Sequence, residues 1–178
     1  YATGKGLYCV MRPPGVSPEK IALNDDYQAF LLKVWDIVSS HIRLRNNGKV
    51  MFELANEPIN ILGPDGTYAG SGDGHFQNMQ LYFQAIIDKI RGNGAENIIW
   101  VPGLGYQSQY AGFAAHRFTG NNIGFAIHVY PGWYNSDAEE DPKENITGSI
   151  KMVKRISPAI SYHFCFFITT GSTAFAAI

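Results

Sequence analysis

The fold is decided by one stretch of the sequence, Phe52-Glu53-Leu54-Ala55-Asn56-Glu57-Pro58. Its first half continues an apolar run that begins at Val50, which is the pattern of a strand buried on both faces. Its second half places an amide, a carboxyl group and a proline directly where that strand ends. On residue types alone, Asn-Glu-Pro is more often the start of an ordinary loop, but the position after a buried strand favours a functional site.

Strands and helices alternate on both sides of this stretch. Short apolar runs bounded by proline, glycine or asparagine predict strands near residues 7–11, 50–54, 97–101, 123–130 and 164–169. Helical periodicity predicts helices near residues 25–41, 76–91 and 141–156, and a weaker one near 108–115. Because parallel strands need a long crossover between them, this alternation predicts a parallel sheet built from βαβ units.

The first two predicted helices each carry an apolar stripe that is expected to face the sheet. Asn24 is expected to cap the first helix, and its stripe consists of Phe30, Leu31, Val34, Ile37 and Val38. Gly92 and Gly94 are expected to end the second helix, and its stripe consists of Met79, Phe83, Ile86, Ile87 and Ile90.

Polar and aromatic side chains lie at or just beyond the ends of four of the predicted strands. In chain order they are Arg12, the segment 56–58, the segment 100–106, and the pair His128 and Tyr130. A (β/α)8 barrel builds its site from several strand ends, whereas an open doubly wound sheet uses a crevice at one switch point. The distribution therefore predicts a barrel. No glycine-rich nucleotide-binding pattern follows any strand, which removes the usual reason for an open sheet.

The composition argues against several classes of function. The 178 residues include 14 basic and 15 acidic side chains, so the net charge of −1 gives no reason to expect nucleic acid or a membrane surface as a partner. The sequence contains no run of about twenty apolar residues, so it predicts no membrane span. Because Cys9 and Cys165 are the only cysteines and the five histidines lack metal-ligand spacing, we expect no disulfide framework, no metal and no other cofactor.

Three segments resemble consecutive strand motifs of the glycoside hydrolase family 5 cellulases. They are FELANEP at 52–58, NIIWVPG at 97–103 and AIHVYPGW at 126–133. The resemblance covers residues 5–157 or so. It implies a (β/α)8 TIM barrel that hydrolyses β-1,4-glucosidic bonds in cellulose or a related β-glucan with retention. With it we expect a monomer that acts outside the cell or in the periplasm.

The resemblance also implies roles for individual residues. Glu57 corresponds to the general acid/base, and Asn56 corresponds to the neighbour that contacts the sugar 2-hydroxyl group. His128 and Tyr130 correspond to the pair that lines the cleft around the scissile bond. Trp133 corresponds to an aromatic platform on which a sugar ring stacks.

Other residues near the strand ends have less specific expected roles. Arg12 stands where many members of the family carry a histidine, and we expect it to contact substrate. Trp100 lies within an apolar strand and is expected to belong to the core. Glu53 is equally consistent with a buried support for the site and with a structural ion pair. His75 and His41 are expected at the surface or at helix ends.

Retaining hydrolysis needs a second carboxyl group about 5 Å from the first. The family carries it at the end of the strand after the His-x-Tyr strand, where this sequence has Thr169-Thr170. No glutamate follows Glu144 and no aspartate follows Asp141. We therefore interpret residues 1–178 as part of a catalytic domain, an incomplete barrel of about five βα units with a divergent tail from about residue 158. Such a fragment lacks its nucleophile, and we expect it to be inactive by itself.

Alternative interpretations remain open at this point. A β-mannanase or a xyloglucanase on the same scaffold would differ only in its loops. A non-catalytic sugar-binding module would explain the missing nucleophile, but not why Asn56 and Glu57 remain. An unrelated open α/β domain would place His128 far from Glu57, on the opposite face of the sheet.

Overall fold

A computed structural model describes residues 1–68, 72–129, 165–170 and 173–177. The strands are β1 (Cys9–Met11), β2 (Lys20–Ile21), β3 (Val50–Glu53), β4 (Asn60–Ile61), β5 (Ile99–Pro102), β6 (Ile123–Val129), β7 (Cys165–Thr170) and β8 (Thr173–Ala177). The long helices are α1 (Asp26–Ser40) and α2 (Asp73–Gly92), and short helical turns lie at Thr3–Lys5, Leu104–Gln107 and Ala111–Ala114. The predicted helix at 141–156 lies outside the described residues.

The strand order of the main sheet is that of a barrel wall. The order is β1-β3-β5-β6-β7-β8, and the first five of these strands are parallel neighbours. A doubly wound sheet reverses its strand order at a switch point, whereas a barrel adds each new strand beside the previous one. The parallel sheet predicted from the sequence is confirmed, and its order agrees with a barrel rather than with an open doubly wound domain.

The two faces of the sheet have different neighbours. One face packs against α1 and α2 through alternate residues of the strands, which are Val50, Phe52, Ile99, Val101, Phe125 and Ile127. The opposite face carries a separate buried cluster of Met51, Trp100 and Ala126. Because side chains alternate along a strand, Glu53 and His128 belong to this second face, which is the inner face of a barrel.

Helix α1 begins at a different cap from the predicted one. Asp25 has extended backbone angles, and its carboxylate accepts the backbone N–H of Gln28 at 2.7 Å. This contact satisfies one of the N–H groups that a helix start leaves unpaired. Asn24, the predicted cap, instead adopts φ +62°. The assignment of the cap to Asn24 was therefore wrong by one residue.

The buried face of α1 also differs from the predicted stripe. Phe30 and Ile37 are 42% and 62% exposed. The buried positions are Gln28, Leu31, Trp35 and Ser39. The indole N–H of Trp35 donates to the carbonyl oxygen of Leu54 at 2.9 Å, which ties the helix to the end of β3. Of the predicted stripe, only Leu31 is fully buried.

Helix α2 confirms its predicted stripe. The side chains of Met79, Phe83, Ile86, Ile87 and Ile90 are all completely buried. The helix starts three residues earlier than predicted, at Asp73, and its last residue is Gly92, one residue beyond the predicted end. Gly94 follows with φ +74°, a conformation that glycine adopts at little cost after a helix end.

Three features of the fold were not anticipated. The short strands β2 and β4 form a separate parallel pair, and β8 runs antiparallel to β7. The helix predicted near 108–115 is replaced by the short turns at 104–107 and 111–114.

Within the described ranges, no helix has both the length and the apolar character needed to cross a membrane.

Candidate active site

Glu57 lies just beyond β3 in a left-handed backbone conformation, with φ +52°. Residues other than glycine adopt this region rarely and at a cost of order 1 kcal/mol, and such residues concentrate at functional sites. The backbone N–H of Glu57 donates to Oε1 of Gln107 at 2.8 Å, which holds the peptide in this orientation. The Glu57 side chain is 16% exposed, so it is accessible from the end of the sheet.

His128, at the end of β6, lies between two carboxyl groups. Its Nδ1 is 2.7 Å from Oε1 of Glu57, and its Nε2 is 3.2 Å from Oε1 of Glu53. The side chain of His128 is 4% exposed and that of Glu53 is 1% exposed. The alternative of an unrelated open domain required His128 and Glu57 to lie far apart, and the 2.7 Å contact contradicts it.

The two carboxyl groups control the protonation of His128. Burial alone would lower the pKa of His128, but the hydrogen bonds and the negative charges of Glu53 and Glu57 together raise the pKa above its ordinary value. Both ring nitrogens face carboxyl oxygens, and only the imidazolium form carries an N–H on each nitrogen. The site therefore favours a protonated histidine that donates to both neighbours.

Gln107 connects this cluster to a third strand end. Its side chain is completely buried, and its Nε2 donates to Oε1 of Glu53 at 3.1 Å and to the carbonyl oxygen of Ala126 at 3.2 Å. Glu53 thus contacts both Gln107 and His128. Of the two roles expected for Glu53, these contacts support a buried group beneath the site, and its ion pair with His128 is part of that role.

Arg12 and Asn56 form a second pair at the same edge of the sheet. The guanidinium Nη1 of Arg12 donates to Oδ1 of Asn56 at 2.7 Å, and Nδ2 of Asn56 donates to the carbonyl oxygen of Gly15 at 3.2 Å. The backbone carbonyl of Asn56 accepts the N–H of Ser17 at 2.8 Å. These contacts fix the amide of Asn56, and they use one of its two N–H groups among the described residues.

The remaining predicted residues have mixed outcomes. Tyr130 and Trp133 lie outside the described residues. Trp100 is completely buried, and its indole N–H points to the sulfur of Met51, which confirms its place in the core. His75 lies in the first turn of α2, one of the two places expected for it, but it is not at the surface: it is 6% exposed, and its ring lies 3.2 Å from the carbonyl oxygen of Thr67.

The described part of the chain offers no metal site. No group of three or more His, Cys, Asp or Glu side chains within it is arranged to hold a metal ion. The carboxyl end of β7 lies beside that of β6, because the two strands are parallel and His128 is in register with Phe167. This edge carries Thr169 and Thr170, where the resemblance to the family 5 cellulases predicts a glutamate.

Sequence reasoning missed Gln107. The sequence predicted functional side chains in the segment 100–106, which ends one residue before Gln107. Tyr106 and Gln107 both have positive φ, at +59° and +60°, and they follow Gly105 at φ +57°. The available signal was Gly105, three residues after the end of β5, since a glycine there indicates an unusual turn.

Comparison with known proteins supports the predicted fold. The family model for the cellulases, glycosyl hydrolase family 5, matches residues 1–164. A lichenase of that family from Caldicellulosiruptor sp. F32 has a TM-score of 0.62 and 15% identity, over 93% of this chain and 53% of its own. An endo-β-1,4-glucanase from Xanthomonas axonopodis pv. citri that carries a triple mutation has a TM-score of 0.60 and 21% identity, over 93% and 55%. XacCel5A in complex with cellopentaose has a TM-score of 0.59 and 17% identity, over 93% and 55%.

At these identities the structural likeness establishes the fold, which is the (β/α)8 barrel, and the described strands supply part of it. This chain spans about half the length of the solved structures that it resembles. No curated protein matches its sequence.

Proposed function

The chain belongs to the cellulase family, glycosyl hydrolase family 5, and from this membership we propose that its protein is a retaining glycosidase that cleaves β-1,4-glucosidic bonds. The observation that carries the proposal is the contact between Glu57 and His128 at the common edge of the parallel strands. A partly exposed carboxyl group paired with a buried histidine suits proton transfer to a bound sugar.

Glu57 is the general acid/base in this proposal. A protonated carboxyl group accepts the Nδ1–H of His128 on one oxygen while it carries a proton on the other. In the first step the nucleophile attacks the anomeric carbon and forms the glycosyl–enzyme intermediate, while Glu57 gives its proton to the glycosidic oxygen as the bond to that oxygen breaks. The resulting carboxylate is stabilised by the N–H of His128. In the second step Glu57 takes a proton from the water that attacks the glycosyl–enzyme intermediate, and the first state is restored.

The nucleophile has to be another residue than Glu53. The Glu53 side chain is 1% exposed and contacts Gln107 and His128, so a polysaccharide does not reach it. No aspartate or glutamate follows residue 144, although β7 brings Thr169 and Thr170 to the expected edge. We assign the nucleophile to a part of the protein outside these 178 residues, and we expect the 178-residue chain alone to be inactive.

Sugar recognition is assigned to the second pair and to the segment after β6. Asn56 keeps an N–H for the sugar 2-hydroxyl group next to the cleaved bond, and Arg12 orients its amide from the other side. Tyr130 and Trp133 follow His128 by two and five residues in sequence, and from the family resemblance we assign them a hydroxyl group and a stacking surface for the sugar.

The substrate class is proposed from the relatives. The similar structures are described as an endo-β-1,4-glucanase, a lichenase and a complex with cellopentaose. We therefore expect a β-glucan such as cellulose or mixed-linkage lichenan. β-Mannan and xyloglucan are the neighbouring alternatives on the same scaffold.

The test uses protein expressed from the complete reading frame that contains this sequence. Release of reducing sugar is measured on carboxymethylcellulose, lichenan, mannan and xyloglucan, and NMR of the first products shows whether the β-anomer is formed. We expect the β-glucans to be cleaved fastest, with retention. Binding of oligosaccharides without any turnover would instead identify a sugar-binding module.

Two variants then test the assignment of Glu57. Glu57→Gln should lower turnover of natural glucans by about 100- to 10,000-fold, because it removes the transferable proton while it keeps the side-chain shape. The matched control is Glu19→Gln, the same change at an exposed position beside β2. A Glu57→Gln protein as active as the control would rule out the assignment.

A further inference from the structure

Both polar atoms of the Gln107 side chain make hydrogen bonds within the site. Its Oε1 accepts the backbone N–H of Glu57, and its Nε2 donates to Glu53 and to the carbonyl oxygen of Ala126. These neighbours fix the orientation of the amide, because the N–H can only donate and the two oxygens of Glu53 and Ala126 accept. One completely buried side chain thus joins the ends of β3 and β6 from the turn after β5.

The turn that carries Gln107 is itself held against the Glu57 loop. The N–H groups of Gly105 and Tyr106 donate to the carbonyl oxygens of Ile59 and Pro58, at 3.1 and 3.2 Å. The hydroxyl group of Tyr110 donates to the carbonyl oxygen of Gln107 at 3.1 Å. The left-handed conformation of Gln107 therefore persists because contacts on both sides of the turn determine it.

Gln107 reaches the carboxyl group of Glu57 by two routes. The first is the backbone: the direction of the Glu57 side chain depends on φ at +52°, and Oε1 of Gln107 accepts the peptide N–H that this conformation presents. The second passes through Glu53, whose Oε1 receives both the amide of Gln107 and the Nε2 of His128. His128 in turn contacts Glu57 at 2.7 Å.

We propose that Gln107 is a positioning residue for the glycosidase: it aims the Glu57 carboxyl group through the Glu57 backbone and holds Glu53 against His128. The inference rests on the proposed function, since it assigns Gln107 a part in the action of Glu57. In this proposal Gln107 does not contact the sugar, and its effect is confined to the proton transfers that Glu57 carries out.

The experiment compares Gln107→Glu and Gln107→Met with Gln109→Glu, all in protein from the complete reading frame. Gln107→Glu keeps an acceptor for the Glu57 N–H but places a carboxylate against Glu53. Gln107→Met removes all three contacts with little change in volume. Gln109 is exposed in the same loop, so its variant is the matched control.

Two substrates separate positioning from general damage. On a cello-oligosaccharide, both Gln107 variants should lower kcat by about 10- to 100-fold, the size expected for a misplaced catalytic group, with KM little changed. On a dinitrophenyl β-cellobioside, whose leaving group needs no proton, the loss of the glycosylation rate should be much smaller. Gln109→Glu should equal the wild type on both substrates.

The opposite outcomes are equally definite. Equal losses of the glycosylation rate on both substrates, or no loss on either, would overturn the inference while the wild-type activity upheld the proposed function. A wild-type protein that cleaves no β-glycan would refute the proposed function instead. If the Gln107→Glu protein unfolds, Gln107→Met decides the question.

As an independent measurement, NMR titration of His128 in a folded Gln107→Glu protein should show a higher pKa than in wild type. An unchanged pKa would also count against the contact through Glu53.

Discussion

Replacement of His128 with leucine should destabilise the protein by about 3 to 5 kcal/mol, because it leaves the carboxylate of Glu53 without its cationic partner. The side chains of this pair are 4% and 1% exposed, so water does not replace the lost contact. Only the amide of Gln107 remains as a described hydrogen-bond partner of Glu53.

The magnitude has two independent estimates. Removal of one member of a buried ion pair typically costs about 3 to 5 kcal/mol, far more than the 0 to 1 kcal/mol of an exposed pair. The folded protein could instead bury the carboxyl group in its neutral form, which at pH 7 costs about 4 kcal/mol for a glutamate of ordinary acidity. Both routes give a loss that is a large fraction of the stability of a typical domain.

The assay is urea denaturation at pH 7, followed by tryptophan fluorescence and extrapolated to water. A double-mutant cycle adds Glu53→Gln and the double variant, and the coupling free energy should be about 2 kcal/mol or more. The control is His116→Leu. His116 lies 2.8 Å from Asp73, but the Asp73 side chain is 78% exposed, so the loss should stay below about 1 kcal/mol.

Two results would refute this reasoning. One is a His128→Leu protein that is no less stable than His116→Leu. The other is strict additivity of the two changes at His128 and Glu53, which would mean that the contact between them contributes nothing.

Two further predictions follow from the same geometry. Because the pKa of His128 is raised on folding, its stabilising contribution is fully present below the unfolded value of about 6.5 and is lost as the pH rises through the raised pKa. The free energy of unfolding should therefore fall as the pH rises above about 6.5, and this slope should disappear in His128→Leu. An unchanged slope would contradict the assignment. Gly103→Ala should cost about 1 to 3 kcal/mol by overpacking, because its Cβ would lie 2.7 Å from the Tyr110 ring, whereas Gly48→Ala, with nothing within 4 Å, should cost little. Equal thermal denaturation midpoints for the two glycine variants would count against it.

The parts of the fold that could be predicted are those where one physical effect dominates. The central strands are apolar on both faces, so their sequences allow few other structures, and β3, β5 and β6 appear within a few residues of the predicted positions. The stripe of α2 is fully buried as predicted, because the helix packs directly over the sheet. The clustering of Glu57 and His128 follows from parallel strands ending at one edge.

The parts that could not be predicted depend on polar contacts between distant segments. The buried face of α1 includes Gln28, whose amide donates to the carbonyl oxygen of Tyr82 at 2.9 Å, while the apolar Phe30 stacks on Tyr27 near the surface. A prediction based on apolar residues alone therefore buries Phe30 and exposes Gln28, which is the reverse of the structure. The role of Gln107 could not be predicted for a similar reason. It depends on a left-handed turn, and neither the residue type of Gln107 nor the residues before Gly105 indicate that turn.

Glu57 donates the proton to the leaving oxygen in the proposed mechanism. The most direct test is how strongly the glycosylation rate of a Glu57 variant depends on the leaving group. The rate of the glycosylation step is measured for wild type and Glu57→Ala, in protein from the complete reading frame, on a cello-oligosaccharide and on a dinitrophenyl β-cellobioside. We predict that the glycosylation rate falls by about 100- to 10,000-fold on the oligosaccharide. The loss should be far smaller on the dinitrophenyl substrate, because its dinitrophenolate leaving group departs without protonation. Equal losses on the two substrates would contradict the assignment of Glu57 as the acid.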